Sequence, residues 1–168
     1  MFDLTLANKI TLGRIALIPL CVIFLLSGLL GLAALLFVLL SLTDLVDGYV
    51  ARKYNQVSEL GKMLDPLADK ILVISVLIGL TAIGRADPVP VIIIAAREFL
   101  IASIRTSKLF AASPLAKWKT ATQTLAVFML FFALPLADVV LWLAVLLSLV
   151  SGWAYLWQSQ FLKQLRSS

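Results

Sequence analysis

The chain has 168 residues, 62% of them apolar and 14% charged, with a formal net charge of +5. A soluble domain is about half apolar and a quarter charged, so this composition belongs to an integral membrane protein and excludes a globule with an ordinary polar surface. With no histidine and a single cysteine, Cys21, imidazole acid–base chemistry, His metal ligands, Cys-His nucleophile pairs and intrachain disulfides are excluded as well.

The first residues, 1–8, read as a short N-terminal interfacial segment in which Phe2, Leu4 and Leu6 alternate with polar or small residues. Six apolar runs follow, at 9–28, 31–52, 60–83, 88–107, 116–135 and 138–159, each long enough to span a bilayer. The breaks between them carry turn chemistry: Gly28 and Gly31, Asn55-Gln56 and Ser58, Gly84 to Pro90, Ser107 to Pro114, and Pro135 to Asp138. The expected fold is all-α: an integral membrane bundle of six transmembrane helices forming one domain over 1–168. Gly28-x2-Gly31 reads as a turn, Cys21 as a small core residue, and Trp118, Trp142, Trp153, Tyr155 and Trp157 as interfacial anchors or packing groups.

The cations set the expected orientation. In a six-span chain both termini and the 2–3 and 4–5 loops share a side. That side receives Lys9, Arg14, Arg52, Lys53, Lys62, Lys70, Arg105, Lys108, Lys117, Lys119, Lys163 and Arg166, while the opposite side has Arg85. The positive side is expected to face the cytoplasm. Basic residues spread along the ends of apolar runs, rather than gathered with interleaved aromatics, argue against nucleic acid as a partner.

Spans 2 and 3 meet in the most polar stretch of the chain. Asp44-Leu-Val-Asp47-Gly48-Tyr-Val-Ala51-Arg52 ends the one, and Gly61-Lys-Met-Leu-Asp65-Pro-Leu-Ala-Asp69 begins the other. Spacing i, i+3 puts Asp44 and Asp47 on one helical face, and i, i+4 does the same for Asp65 and Asp69. A carboxylate in a membrane helix costs up to about 2.5–3.5 kcal/mol at the bilayer centre, so four of them require compensation. Two such helices side by side make a four-carboxylate cage for hard divalent cations, Mg²⁺ or Mn²⁺ rather than zinc. The plainer reading is interfacial pairing with Arg52, Lys53, Lys62 and Lys70, which does not require all four aspartates to fall in helical register.

The pattern D-x2-D-G-x2-A-R-x8-G-x3-D-x3-D resembles the signature of the CDP-alcohol phosphatidyltransferases, and all of its fixed positions are matched here. The resemblance implies six transmembrane helices, a homodimer in the bacterial-type inner membrane, a cavity open to the cytoplasm and two divalent metals per active site. By that resemblance Asp44, Asp47 and Asp65 are metal ligands, Asp69 is both ligand and general base, and Gly48, Ala51, Arg52 and Gly61 contact the CDP group of CDP-diacylglycerol.

Further stretches are similar to the branch of the family that uses glycerol 3-phosphate: Asn8-Lys-Ile-Thr11-x2-Arg14, Ala96-Arg97-Glu98-Phe99, and Lys117-Trp-Lys119-Thr120-x2-Gln123. Other acceptors used in the family are phosphatidylglycerol, as in cardiolipin synthesis, an inositol phosphate and serine. For a phosphate-bearing acceptor the expected anion pocket consists of Arg97, Arg105, Lys117 and Lys119. Arg97 lies too deep to snorkel and reads as lining a cavity, with its neighbour Glu98 expected to point about 100° away around the helix; the alternative is a structural Arg97–Glu98 network. Positive-inside topology with snorkelling is the competing account of Lys119. Two other classes use similar residues. A prenyltransferase with Asp-rich motifs needs more spans and another Asp spacing, and a cation transporter needs access from both faces.

Overall fold

The computed structural model describes the backbone of residues 6–53, 59–104 and 114–158; the side chains of 6–7, 44–53, 59–66, 104, 114–117, 156 and 158 lie outside the described residues. Six helices account for nearly all of the described backbone: α1 Leu6–Leu26, α2 Leu30–Lys53, α3 Glu59–Ala82, α4 Pro88–Ile104, α5 Pro114–Phe131 and α6 Ala137–Gln158. Each begins and ends within four residues of the expected run. The interfacial segment expected at 1–8 falls mostly on residues 1–5, outside the described residues, and α1 has already begun at Leu6.

Three helix ends show why the breaks fall where they do. At the end of α1, Gly28 N–H donates to the Leu25 carbonyl and Leu29 N–H to that of Phe24, with Gly28 at φ 79°. At the end of α3, Gly84 N–H donates to Thr81 and Arg85 N–H to Leu80, with Gly84 at φ 72°. Both are Schellman caps, in which a left-handed residue turns the chain and satisfies the last carbonyls. The end of α5 repeats the bonds, Ala133 to Leu130 and Leu134 to Met129, but an alanine occupies the left-handed position at φ 47°. Across the turn into α4, the Asp87 side chain caps the Val89 N–H and Pro88 takes the first helical position.

The helices form two compact units, Met1–Arg85 and Ala86–Ser168. In the first, α1 packs on both α2 and α3, and α2 on α3. The buried stripe of α1 runs Asn8, Thr11, Arg14, Ile18, Cys21, Leu25, polar in its first half and apolar in its second. Cys21 is a packed core residue whose Sγ faces the Ala33 carbonyl of α2. Gly79 of α3 sits where a Cβ would stand 2.5 Å from Leu25 Cδ2. α1 and α3 thus meet near their C-terminal ends, with α2 connecting them in the chain.

In the second unit α4 and α5 both pack on α6. Along α6 the buried positions are mostly small: Ala137, Ala144, Ser148, Ser151 and Gly152, with Leu141 and Val145. Small residues let helix backbones approach closely. Polarity in both units is reversed relative to a soluble protein. Arg14, Glu98, Lys119, Gln123 and Ser148 are buried, whereas Leu35, Ile92, Leu146, Trp153 and Trp157 are exposed. Two apolar stretches, Asn8–Leu26 in α1 and Ala137–Tyr155 in α6, are long enough to cross a membrane.

Candidate active site

The aspartates of the signature all fall within helical backbone, Asp44 and Asp47 near the end of α2 and Asp65 and Asp69 near the start of α3. The register expected from sequence therefore holds at the level of the backbone. Gly48, Ala51 and Arg52 follow on α2, and Gly61 precedes on α3. Among these eight residues only the Asp69 side chain lies within the described residues. It is half-buried on α3, beside the fully buried Ala68.

The packing of unit one brings the two pairs to the same end. The end of α2 at Lys53 and the start of α3 at Glu59 are joined by a short connection, which keeps the two pairs at the same end. Counted back from the Leu25–Gly79 contact, Arg14 and Ala68 each lie eleven residues earlier on their helices, Ala68 next to Asp69 in the chain. Counted from the turn, Arg14 precedes Gly28 by fourteen residues and Leu42 follows it by fourteen, which puts Arg14 at the height of the α2 residues leading into Asp44. The Arg14 side chain is 2% exposed. A buried guanidinium is tolerated only with compensating partners. In the sequence Arg14 counts both among the positive-side cations and as the end of the Asn8-x2-Thr11-x2-Arg14 stretch. Its position on the buried stripe with Asn8 and Thr11, at i, i+3, i+6, is the signal that separates it from them.

In unit two the candidate acceptor cations divide. Arg105 lies outside the described residues, and Lys117 is placed by its backbone alone, in the first turn of α5. Arg97 and Lys119 come together around Glu98. Arg97 Nη1 donates to Glu98 Oε1 at 2.9 Å, and Lys119 Nζ donates to the same oxygen at 2.5 Å. Arg97 Nη2 donates to Ser151 Oγ of α6 at 2.8 Å, and Ser151 Oγ donates to the Ser148 carbonyl at 3.0 Å. Arg97 also lines an otherwise apolar groove of about 870 Å³ between α4 and α6, beside Ala96, Leu100, Gly152 and Trp153.

Two expectations are corrected here. Glu98 does not point away from Arg97: the helical wheel sets the direction of Cβ, but the arginine side chain is long enough to fold back onto its neighbour. Lys119 does not snorkel, being 7% exposed and held by Glu98. Ser151 and Gly152 belong to no motif in the sequence. The spacing of small residues at Ser148, Ser151 and Gly152 is the only trace of their role.

The matched family model is that of the CDP-alcohol phosphatidyltransferases, over residues 4–150. The chain belongs to that family. It is also similar to curated members along nearly its whole length. The CDP-diacylglycerol–glycerol-3-phosphate 3-phosphatidyltransferase of Bacillus subtilis (strain 168) is 43% identical, with 92% of this chain and 94% of the relative covered. The protein of the same name from Rickettsia bellii is 40% identical, over 91% and 94%. The second such enzyme of Arabidopsis thaliana is 37% identical, over 73% of this chain and 62% of the plant protein. The family match runs across both units and includes the carboxylates of α2–α3 and the Arg97–Glu98–Lys119 cluster of α4–α5.

Proposed function

We propose that this family member transfers the phosphatidyl group of CDP-diacylglycerol to glycerol 3-phosphate, giving phosphatidylglycerophosphate and CMP. The carrying observation is the signature in helical register on α2 and α3, both pairs of aspartates lying at the end of the unit where Arg14 is buried. The names of relatives at about 40% identity supply the acceptor.

A hydroxyl oxygen of the acceptor attacks the phosphorus that bears the diacylglycerol. The bond from that phosphorus to the bridging oxygen of CMP breaks, CMP leaves, and the hydroxyl proton passes to Asp69. Such transfers depend mostly on positioning and charge neutralisation. The all-oxygen donor set of Asp44, Asp47, Asp65 and Asp69 suits two Mg²⁺ or Mn²⁺ ions, which when bound neutralise the pyrophosphate and the departing CMP. Gly48, Ala51, Arg52 and Gly61 hold the nucleotide, the small residues admitting it close to the helix backbone. Arg97, Arg105, Lys117 and Lys119 receive the phosphate of the acceptor.

The reversed polarity of both units supports a six-span arrangement in the bilayer, with a single catalytic domain and the site and termini on the cytoplasmic side where the cations gather. A homodimer is part of the same reading. The test is metal removal. CMP release from CDP-diacylglycerol and glycerol 3-phosphate stops after exhaustive chelation and returns with Mg²⁺ or Mn²⁺; full activity in the chelated enzyme would refute the two-metal assignment.

A further inference from the structure

We propose that Glu98, Ser151 and Gly152 are positioning residues that seat Arg97 for the acceptor phosphate, so that α6 takes part in acceptor recognition although it carries none of the signature. The proposal rests on the reading of Arg97 as an acceptor-phosphate ligand.

Arg97 is held from two helices. Within α4 its Nη1 donates to Glu98 Oε1, and across to α6 its Nη2 donates to Ser151 Oγ. Ser151 gives its own proton to the Ser148 carbonyl, which leaves the hydroxyl oxygen facing Arg97 as an acceptor. Gly152 supplies the floor. A Cβ there would stand 2.9 Å from Arg97 Nε, 3.5 Å from Nη2 and 3.6 Å from Cγ, so the side chain lies against the bare α6 backbone.

The seat does not exhaust the guanidinium. Of its five N–H donors, two are engaged by Glu98 and Ser151, each Nη keeps a second N–H, and the buried Nε has no hydrogen-bond partner. A planar fork whose direction is fixed before the ligand arrives is suited to phosphate oxygens and loses little freedom on binding them. Glu98 adds a second constraint, because the same carboxylate oxygen takes Lys119 Nζ of α5. It therefore sets the spacing of two cations from two helices, in a trio with two positive charges to one negative. Glu98 itself is a poor probe, since removing a buried carboxylate between two cations also destabilises the fold. Ser151 and Gly152 are the informative positions.

The experiment is steady-state kinetics of the purified full-length enzyme, varying glycerol 3-phosphate and CDP-diacylglycerol separately, for Arg97→Ala, Gly152→Ala, Ser151→Ala, Ser151→Thr and the double variant Arg97→Ala/Gly152→Ala. A misplaced charged donor weakens acceptor binding by about tenfold. Gly152→Ala is therefore expected to raise the KM for glycerol 3-phosphate about tenfold and Ser151→Ala several-fold, with the KM for CDP-diacylglycerol unchanged. Ser151→Thr, which keeps the hydroxyl, stays nearer the parent enzyme, and Gly152→Ala adds nothing once Arg97 is alanine. If Arg97→Ala raises the acceptor KM but the seat variants do not, the positioning role is wrong. A rise in both KM values together, or a cost that persists in the double variant, makes the seat ordinary helix packing and overturns it. If Arg97→Ala leaves the acceptor KM unchanged, the assignment of Arg97 fails first and the seat with it. Should Gly152→Ala fail to fold, the Ser151→Ala and Ser151→Thr pair decides.

Discussion

Asp69 is the carboxylate on which the proposed chemistry turns. Half-buried on α3 and last in the signature, it is the residue proposed to receive the acceptor proton. Asp69→Asn keeps the size and removes the basic oxygen. The variant is expected to bind CDP-diacylglycerol and to lose CMP release at saturating Mg²⁺; near-parental turnover would remove the base assignment. Arg14 gives a second prediction. It is buried at the height of the aspartates, whereas Lys9 on the same helix is exposed. Arg14→Ala is expected to lower CMP release by about tenfold or more, on the scale of a lost charged hydrogen bond, while Lys9→Ala stays within about twofold. Equal effects of the two substitutions would make Arg14 an ordinary topology cation. At this scale the sequence was readable where spacing decides, as in the helical register of the four aspartates. The sequence left two arrangements open for Arg97, and side-chain reach decides for the contact with Glu98; a bare backbone surface such as the one Gly152 offers Arg97 leaves no signal.

Among the elements, the turns expose a small strain that can be measured. Gly28 and Gly84 occupy left-handed cap positions at no steric cost, but Ala133 holds the corresponding place after α5 at φ 47°. A left-handed L-residue costs about 1–2 kcal/mol, and glycine's extra freedom in the unfolded chain returns about 0.4–1 kcal/mol of that. Ala133→Gly is therefore expected to stabilise the protein by about 0.5–1 kcal/mol, and Gly28→Ala or Gly84→Ala to destabilise it by about as much. Thermal unfolding in detergent reads the sign, and a destabilised Ala133→Gly would show that the α5–α6 turn is not under strain. The same cap explains the largest boundary difference. Glycines announce the ends of α1 and α3 in the sequence, but nothing announces Ala133, so the fifth run seemed to continue to Pro135 whereas α5 ends at Phe131.

Over the whole molecule, six apolar runs became six helices because their length, breaks and composition all pointed the same way. Their assembly into two compact units was not legible, since helix partners depend on small buried positions scattered along α6 and on close approaches such as Gly79 to Leu25. Each unit carries polar groups assigned to the proposed reaction: the signature carboxylates in the first, and the Arg97–Glu98–Lys119 trio in the second. Four carboxylates alone would suit any acceptor used in the family, and the cations of α4 and α5 are what favour one that carries a phosphate. The decisive measurement is therefore the identity of the lipid product. Purified enzyme is given CDP-diacylglycerol, Mg²⁺ and an equimolar mixture of glycerol 3-phosphate, phosphatidylglycerol, inositol phosphate and serine, and the extracted lipid is identified by mass spectrometry. Phosphatidylglycerophosphate as the dominant product, formed in step with CMP, is the predicted result; cardiolipin, a phosphatidylinositol phosphate or phosphatidylserine as the dominant product would contradict it.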